Sequence, residues 1–225
     1  MSTLLSVILG IGLSAACGFR IFVPFLVVGI AARTGHLTLG PSFDWMSGTP
    51  ALIALSAATL LEIAAYYIPW LDHVMDVIAT PAAVIAGMVM TASVVTGLDP
   101  MMKWTLALIA GGGIAGTIQA LTVGARKLSL VTTGGLANPV VSTFELLGAV
   151  ILTLLAIAVP FLAFAVIAWA IFLGVRFLLR MLRVSGDRRD DRTAAAPDDS
   201  RTRRGLSLRL RRVGRTRRAG IWPPT

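Results

Sequence analysis

Arginine residues interrupt two of the apolar stretches of this chain, where a charged side chain is unusual. Arg20 is the only charge in "AACGFRIFVPFLVVGIAA", and Gly18 and Pro24 beside it indicate irregular backbone. Arg126 follows a glycine at the same spacing in "GARKLSL". A charged side chain inside a membrane costs at least about 2.5 kcal/mol and usually serves a function. Beside the unpaired N–H groups of a broken helix, a guanidinium favours an anionic or carbonyl ligand.

Two glutamates follow these arginines within apolar stretches. Glu62 ends "TLLE" and Glu145 ends "STFE", so both follow the pattern Ser/Thr-x-x-Glu. A carboxylate in such a place can carry a proton or form an ion pair with Arg20 or Arg126. For Glu145, six residues after Pro139, a carboxylate at the start of a helix near the membrane interface is a further alternative.

The stretch "TTGGLANP" separates two apolar segments and is polar and rich in glycine. It is typical of an ordinary turn before a helix. It could also line a cavity, with Thr133 and Asn138 as contacts. The sequence therefore gives six candidate substrate-binding residues: Arg20, Glu62, Arg126, Glu145, Thr133 and Asn138.

Asp72 and Asp76 are four residues apart and would share a helical face. Paired aspartates can hold a divalent cation, as a lipid-modifying enzyme would require. No second acidic motif completes such a site, and a solvated helix start explains the pair as well. "GGGIAG" lies within an apolar segment rather than after a strand, so it does not indicate dinucleotide binding. Gly112-x-x-x-Gly116 within it predicts close helix packing.

The elements that carry these residues have the composition of membrane helices. Of 225 residues, 56% are hydrophobic and 14% are charged, whereas soluble domains carry roughly 25% charged residues. Apolar segments of about 20 residues can span a bilayer as helices. The sequence predicts an all-α polytopic bundle, with six segments at 3–32, 50–68, 74–95, 104–123 and, divided by Pro160, 139–182.

The two halves of this region resemble each other. At an offset of 106 residues, Arg20 aligns with Arg126, and Gly10, Gly18 and Gly29 align with Gly116, Gly124 and Gly135. We therefore predict two inverted three-helix pseudo-repeats, at about 3–95 and 103–182, whose first helices are broken or re-entrant. Six full spans, and four spans with two re-entrant hairpins, are both compatible with the sequence.

The predicted transmembrane domain, 1–183, is followed by a basic tail. Residues 184–225 contain twelve arginines and five aspartates and few apolar residues, so we expect a disordered segment. Its charge predicts a cytoplasmic C-terminus. The tail could contact anionic lipids or simply fix the topology.

The quoted motifs also resemble a known family. "SAACGFRIFVPFLVVGIAARTGHLTL", "EIAAYYIPWLDHVMD" and "GARKLSLVTTGGLANPVVSTFE" are similar to bacterial membrane proteins of the domain of unknown function 4126 family. The resemblance covers about Leu4 to Ile167 and implies a polytopic inner-membrane protein. This chain has Tyr66 and Tyr67 where such proteins often carry a charged pair. The resemblance implies no substrate and no catalytic residues.

These observations favour a small transporter or channel-like protein with a polar intramembrane cavity. A non-catalytic scaffold or assembly factor acting through its basic tail is the alternative, and a divalent-metal-dependent lipid-modifying enzyme is a third. We expect no enzyme activity, no cofactor and no nucleic-acid partner. The partners that we expect are the lipid bilayer and an unidentified small molecule or ion.

Overall fold

The structure is a computed structural model that describes residues 2–134 and 136–194, with side chains to position 180 except at 69, 70, 72, 73, 132 and 178. All regular structure in these ranges is helical. The α-helices are α1 (Thr3–Phe19), α2 (Phe22–Arg33), α3 (Thr49–Tyr66), α4 (Pro69–Val94), α5 (Pro100–Leu106), α6 (Gly113–Thr133), α7 (Asn138–Ala158) and α8 (Pro160–Ala194). A 3-10 helix, Pro41–Ser47, precedes α3, and a π-helical segment, Ala107–Gly112, joins α5 to α6.

Among the described residues, five helical segments are long and apolar enough to cross a bilayer. They are Thr49–Tyr66, Val74–Val94, Pro100–Val131, Asn138–Ala158 and Pro160–Phe177. The first apolar stretch of the chain is instead divided into α1, with 17 residues, and α2, with 12 residues. Six full spans remain a prediction, because the lengths of α1 and α2 do not decide whether the two helices cross the bilayer together. The second hairpin that four spans would require is contradicted by α6, which is continuous through Gly124.

Helices α1 and α2 form a helical hairpin. Thr91, in the last turn of α4, donates to the Gly10 carbonyl in the middle of α1 over 3.1 Å. Thr3, the first residue of α1, lies beside Gly97, just after α4, where a Cβ atom would be 2.9 Å from the Thr3 hydroxyl. The Gly40 amide, beyond α2, donates to the Ser93 carbonyl over 2.8 Å. The start of α1 and the chain after α2 thus lie near the same end of α4, and the tip of the hairpin lies towards the other end. We call this other end, where α3 and α6 finish and α4 and α7 begin, the charged end.

The second half lacks the break that its likeness to the first half predicts. Helix α6 continues through Gly124 and Arg126. The irregular backbone of this half lies earlier, in the π-helical segment. A break needs partners for the amide groups that it frees. Glu62 supplies them in the first half, whereas Glu145, its counterpart, binds an arginine side chain.

Glycines bring α1, α4 and α6 close together. A Cβ atom on Gly18 would lie 2.5 Å from the Ala115 carbonyl oxygen, so α1 and α6 nearly touch there. Gly112 and Gly116 both pack against Val84 of α4, at 3.2 Å and 2.9 Å by the same measure. The close packing predicted for Gly112-x-x-x-Gly116 is confirmed.

The chain divides into two compact units, at Val175 and Arg176. The first contains α1–α7 and the apolar part of α8. In the second, α8 continues to Ala194, beyond residue 184, where we predict that the tail begins. Residues 195–225 of the tail lie outside the described residues.

Candidate functional site

Arg20 lies at the tip of the hairpin formed by α1 and α2 and is 2% exposed. It follows the last residue of α1, and its extended backbone ends that helix. Its Nη2 atom donates to Ser142 in α7, over 2.6 Å to the hydroxyl and 3.1 Å to the carbonyl oxygen. Nη2 also lies 3.7 Å from a carboxylate oxygen of Glu145. The Nε and Nη1 atoms are buried without a hydrogen-bond partner among the described residues.

Arg126 reaches the same place from α6 and joins two carboxylates. Its Nε atom donates to Glu145 Oε1 over 3.0 Å, and its Nη2 atom pairs with Glu145 Oε2. Its Nη1 atom donates to Asp76 Oδ1 over 3.0 Å. Paired N–H groups of a guanidinium match a carboxylate in geometry, and such bonds are among the stronger ones in proteins.

Tyr66 connects the two arginines. Its ring centroid lies 3.9 Å from the guanidinium carbon of Arg20 and 4.0 Å from that of Arg126. The ring is 5% exposed, and a desolvated cation–π contact stabilises by about 2 kcal/mol. We call Arg20, Tyr66, Asp76, Arg126, Ser142 and Glu145 the arginine cluster. Its two positive and two negative charges balance.

Glu62 lies beside the arginine cluster and has a different role. Its Oε1 atom accepts from the Ile21 amide over 2.7 Å and its Oε2 atom from the Phe22 amide over 3.0 Å. These amides belong to the start of α2, which has no capping side chain of its own. One carboxylate from α3 therefore satisfies two amides that the break leaves without intrahelical partners, and its charge suits a helix N-terminus.

A pocket of about 700 Å³ borders the arginine cluster between α4 and α6. Asp76, Arg126, Lys127, Asn138 and Thr80 form its polar lining, and Val77, Val123, Leu130 and Val131 its apolar lining. A second cavity, of about 340 Å³, is mostly apolar and reaches Glu145 from the side of Phe144. The cluster is thus buried but has open space on two sides.

The structure brings together three of the six residues predicted for substrate binding: Arg20, Arg126 and Glu145. Glu62 lies at the hairpin tip, and Asn138 lines the larger pocket. Thr133 does not face that pocket. Its hydroxyl donates to the Ser129 carbonyl and accepts from the Ala137 amide, as expected of a residue that helps to form a turn.

The two aspartates considered for a metal are placed differently. Asp76 pairs with Arg126, which supplies the positive charge that a cation would otherwise bring. The Asp72 side chain lies outside the described residues. Within the part of the chain that the structure describes, no group of three or more His, Cys, Asp or Glu side chains could hold a metal ion.

Sequence reasoning missed Tyr66 and Ser142. The spacing of both residues from a glutamate is informative, because Tyr66 lies four residues after Glu62 and Ser142 three residues before Glu145. Residues at these spacings share a helical face. The faces that carry the glutamates therefore make both residues candidates, but they do not show what the two side chains contact.

Comparison with known proteins places the chain in a family but adds no relative of known activity. Searches of the curated proteins and of the solved structures found no match. The family described as "Domain of unknown function (DUF4126)" matches residues 7–180, which is most of the chain and includes the whole arginine cluster. The chain belongs to this family of proteins with a domain of unknown function, and its apolar helices make it an integral membrane protein.

Proposed function

We propose that this protein is a small transporter or channel-like protein and that its substrate contacts the arginine cluster. The observation that carries the proposal is the state of Arg20, which is 2% exposed and has two nitrogen atoms without partners among the described residues. Unsatisfied buried donors are costly. A small solute with hydrogen-bond acceptors, such as an anion, would satisfy them.

The cluster is poorly explained by stability alone. Buried ion pairs often stabilise a fold no better than apolar residues of similar volume. Charged residues inside membranes typically mark the path of a substrate or ion. The hairpin tip adds a second feature of transporters, since their sites commonly lie at the ends of interrupted helices.

The proposal includes an orientation in the inner membrane. The basic tail favours a cytoplasmic C-terminus. The last candidate span, Pro160–Phe177, runs towards the charged end, since Ala163 lies beside Gly12 of α1 and Gly174 beside Leu121 of α6. In this orientation the arginine cluster lies nearer the cytoplasmic face. The proposed pseudo-repeats would then place one arginine from each half in the substrate path.

The test is ion movement across reconstituted vesicles. Purified protein in liposomes would be adsorbed on a solid-supported membrane, and currents recorded after concentration jumps of chloride, phosphate and acetate. We expect a current above that of protein-free liposomes for at least one of these anions. Arg20→Ala and Arg20→Lys should abolish it, because neither variant restores the donors at Nε and Nη1.

Arg33→Ala is the matched control. Arg33 lies at the other end of α2, is exposed, and binds the Thr49 hydroxyl over 2.9 Å. Its removal should leave the current unchanged. The proposal is wrong if no anion gives a current, or if Arg20→Ala carries the current of the unaltered protein.

A further inference from the structure

We propose that the pocket between α4 and α6 binds an anionic lipid, with the head group at Lys127 and an acyl chain along the apolar lining. This inference goes beyond the proposed function and does not depend on it. The pocket, at about 700 Å³, has the size of sites that hold drug-sized ligands.

Lys127 is the charge in this pocket that remains available for a ligand. Arg126 already joins Glu145 and Asp76. Lys127, by contrast, is exposed and forms no hydrogen bond or ion pair with any residue that the structure describes. An ammonium group on a membrane helix favours an anionic partner, and basic pockets between such helices bind lipid phosphates.

The apolar lining distinguishes a lipid from a soluble anion. Val77 is 75% exposed and Val131 is 84% exposed, so both face the acyl chains of the bilayer if these helices span it. A lipid could therefore enter sideways and bury its chain against them, whereas inorganic phosphate would gain nothing from these side chains. Lys127 lies one turn before Val131, the end of its candidate span, which is a suitable depth for a head group.

Photo-crosslinking of lipid to the full chain tests this inference. Purified protein in nanodiscs would be exposed to trace amounts of phosphatidylglycerol or phosphatidylcholine that carry the same photoactivatable acyl chain. Peptide mass spectrometry would then locate the labelled residues. Since the arginines of the tail can also attract anionic lipid, the measured quantity is labelling within 77–80 and 123–131.

We expect phosphatidylglycerol to label these positions more strongly than phosphatidylcholine. Lys127→Ala should reduce the labelling about fivefold, the equivalent of roughly one basic contact. Val77→Trp should reduce it by filling the pocket without any change of charge. Lys103→Ala is the matched control, because Lys103 lies in α5 against the Phe43 ring, and it should leave the labelling unchanged.

Three results would overturn the inference. They are equal labelling by the two lipids, equal effects of Lys127→Ala and Lys103→Ala, and displacement of the lipid by millimolar glycerol phosphate, which would indicate a site for the head group alone. None of these readouts involves transport. A failure here is therefore distinct from a failure of the proposed function.

Discussion

At the scale of single residues, the Glu62 carboxylate accepts hydrogen bonds from the free backbone amides at the start of α2. At a protein surface, water would accept these bonds. Ile21 and Phe22 both donate their amides to Glu62. A re-entrant turn can exist at membrane depth only where protein or a water-filled cavity satisfies its backbone. The position of the hairpin tip therefore depends on one carboxylate from a neighbouring helix.

Removal of this carboxylate should loosen the hairpin. We expect Glu62→Ala to reduce the free energy of unfolding by about 2–3 kcal/mol, because two charge-assisted hydrogen bonds are lost. Cys17, the only cysteine, is fully buried near the end of α1 and reports on this opening. The measurement is its rate of reaction with a fluorescent maleimide in detergent micelles, which should rise.

Asp99→Ala provides the matched control for this measurement. Asp99 also accepts from two backbone amides, those of Met101 and Met102, but it is exposed. Water can replace its oxygens, so the reaction rate of Cys17 should stay near that of the unaltered protein. Equal rates for Glu62→Ala and Asp99→Ala would contradict the role given to Glu62.

A second prediction at the residue scale concerns the ion pair between Arg126 and Glu145. Removal of one partner leaves the other charge buried and unpaired. Arg126→Met and Glu145→Gln should therefore each reduce the free energy of unfolding by about 3–5 kcal/mol. The double variant should cost less than the sum of the two, with a coupling of about 1–3 kcal/mol. Denaturation followed by Cys17 labelling measures all three. Additive effects would show that the two side chains do not act as a pair.

At the scale of helices, two glycines that align in the sequence have different packing roles in the structure. Gly18 and Gly124 lie 106 residues apart at matching places in the two halves. Gly18 allows α1 to approach α6, whereas a Cβ atom on Gly124 would meet nothing within 4 Å. The same residue type thus permits close packing in one half and has no packing role in the other.

Alanine at these two positions should have opposite effects. Gly18→Ala should destabilise the protein by about 1–3 kcal/mol, since its methyl group would overlap the Ala115 carbonyl and Ile118. Gly124→Ala should be neutral or stabilise by up to about 1 kcal/mol, because alanine favours the helix. Melting temperatures of the two variants in one detergent check this. A loss of stability in both would contradict the packing described for Gly124.

The sequence predicted the interruption near Arg20 because glycine, arginine and proline coincide there. The sequence could not predict that α6 is continuous at Gly124. Whether a helix breaks depends on whether a carboxylate from another helix can accept hydrogen bonds from the freed backbone amides, as Glu62 does in the first half. The arginines and glutamates attracted attention because charge is rare in apolar segments. Tyr66 and Ser142 did not, since uncharged residues of these types are common in helices and only the packing of α3 and α7 reveals their contacts.

At the scale of the whole membrane domain, the hairpin changes the number of crossings. A kinked α1–α2 span would place residue 2 and the loop after α2 on opposite sides of the bilayer. A re-entrant hairpin places them on one side, and the next three spans then place the turn between α6 and α7 on the other. The hairpin therefore makes a prediction about topology that six spans do not share.

Single cysteines in a Cys17→Ser background test that topology. Ser2→Cys and Thr38→Cys should react with a membrane-impermeant maleimide from the same side, whereas Leu136→Cys, at an 86% exposed position, should react from the opposite side. If the charged end faces the cytoplasm, intact cells should label residues 2 and 38, and position 136 should become labelled only after lysis. Labelling of positions 2 and 38 from different sides would show that α1 and α2 cross the bilayer as one span, and the hairpin would have to be abandoned. The Arg20 side chain would then lie at a kink within a crossing span, and the break that Glu62 caps would bend that span rather than reverse its direction.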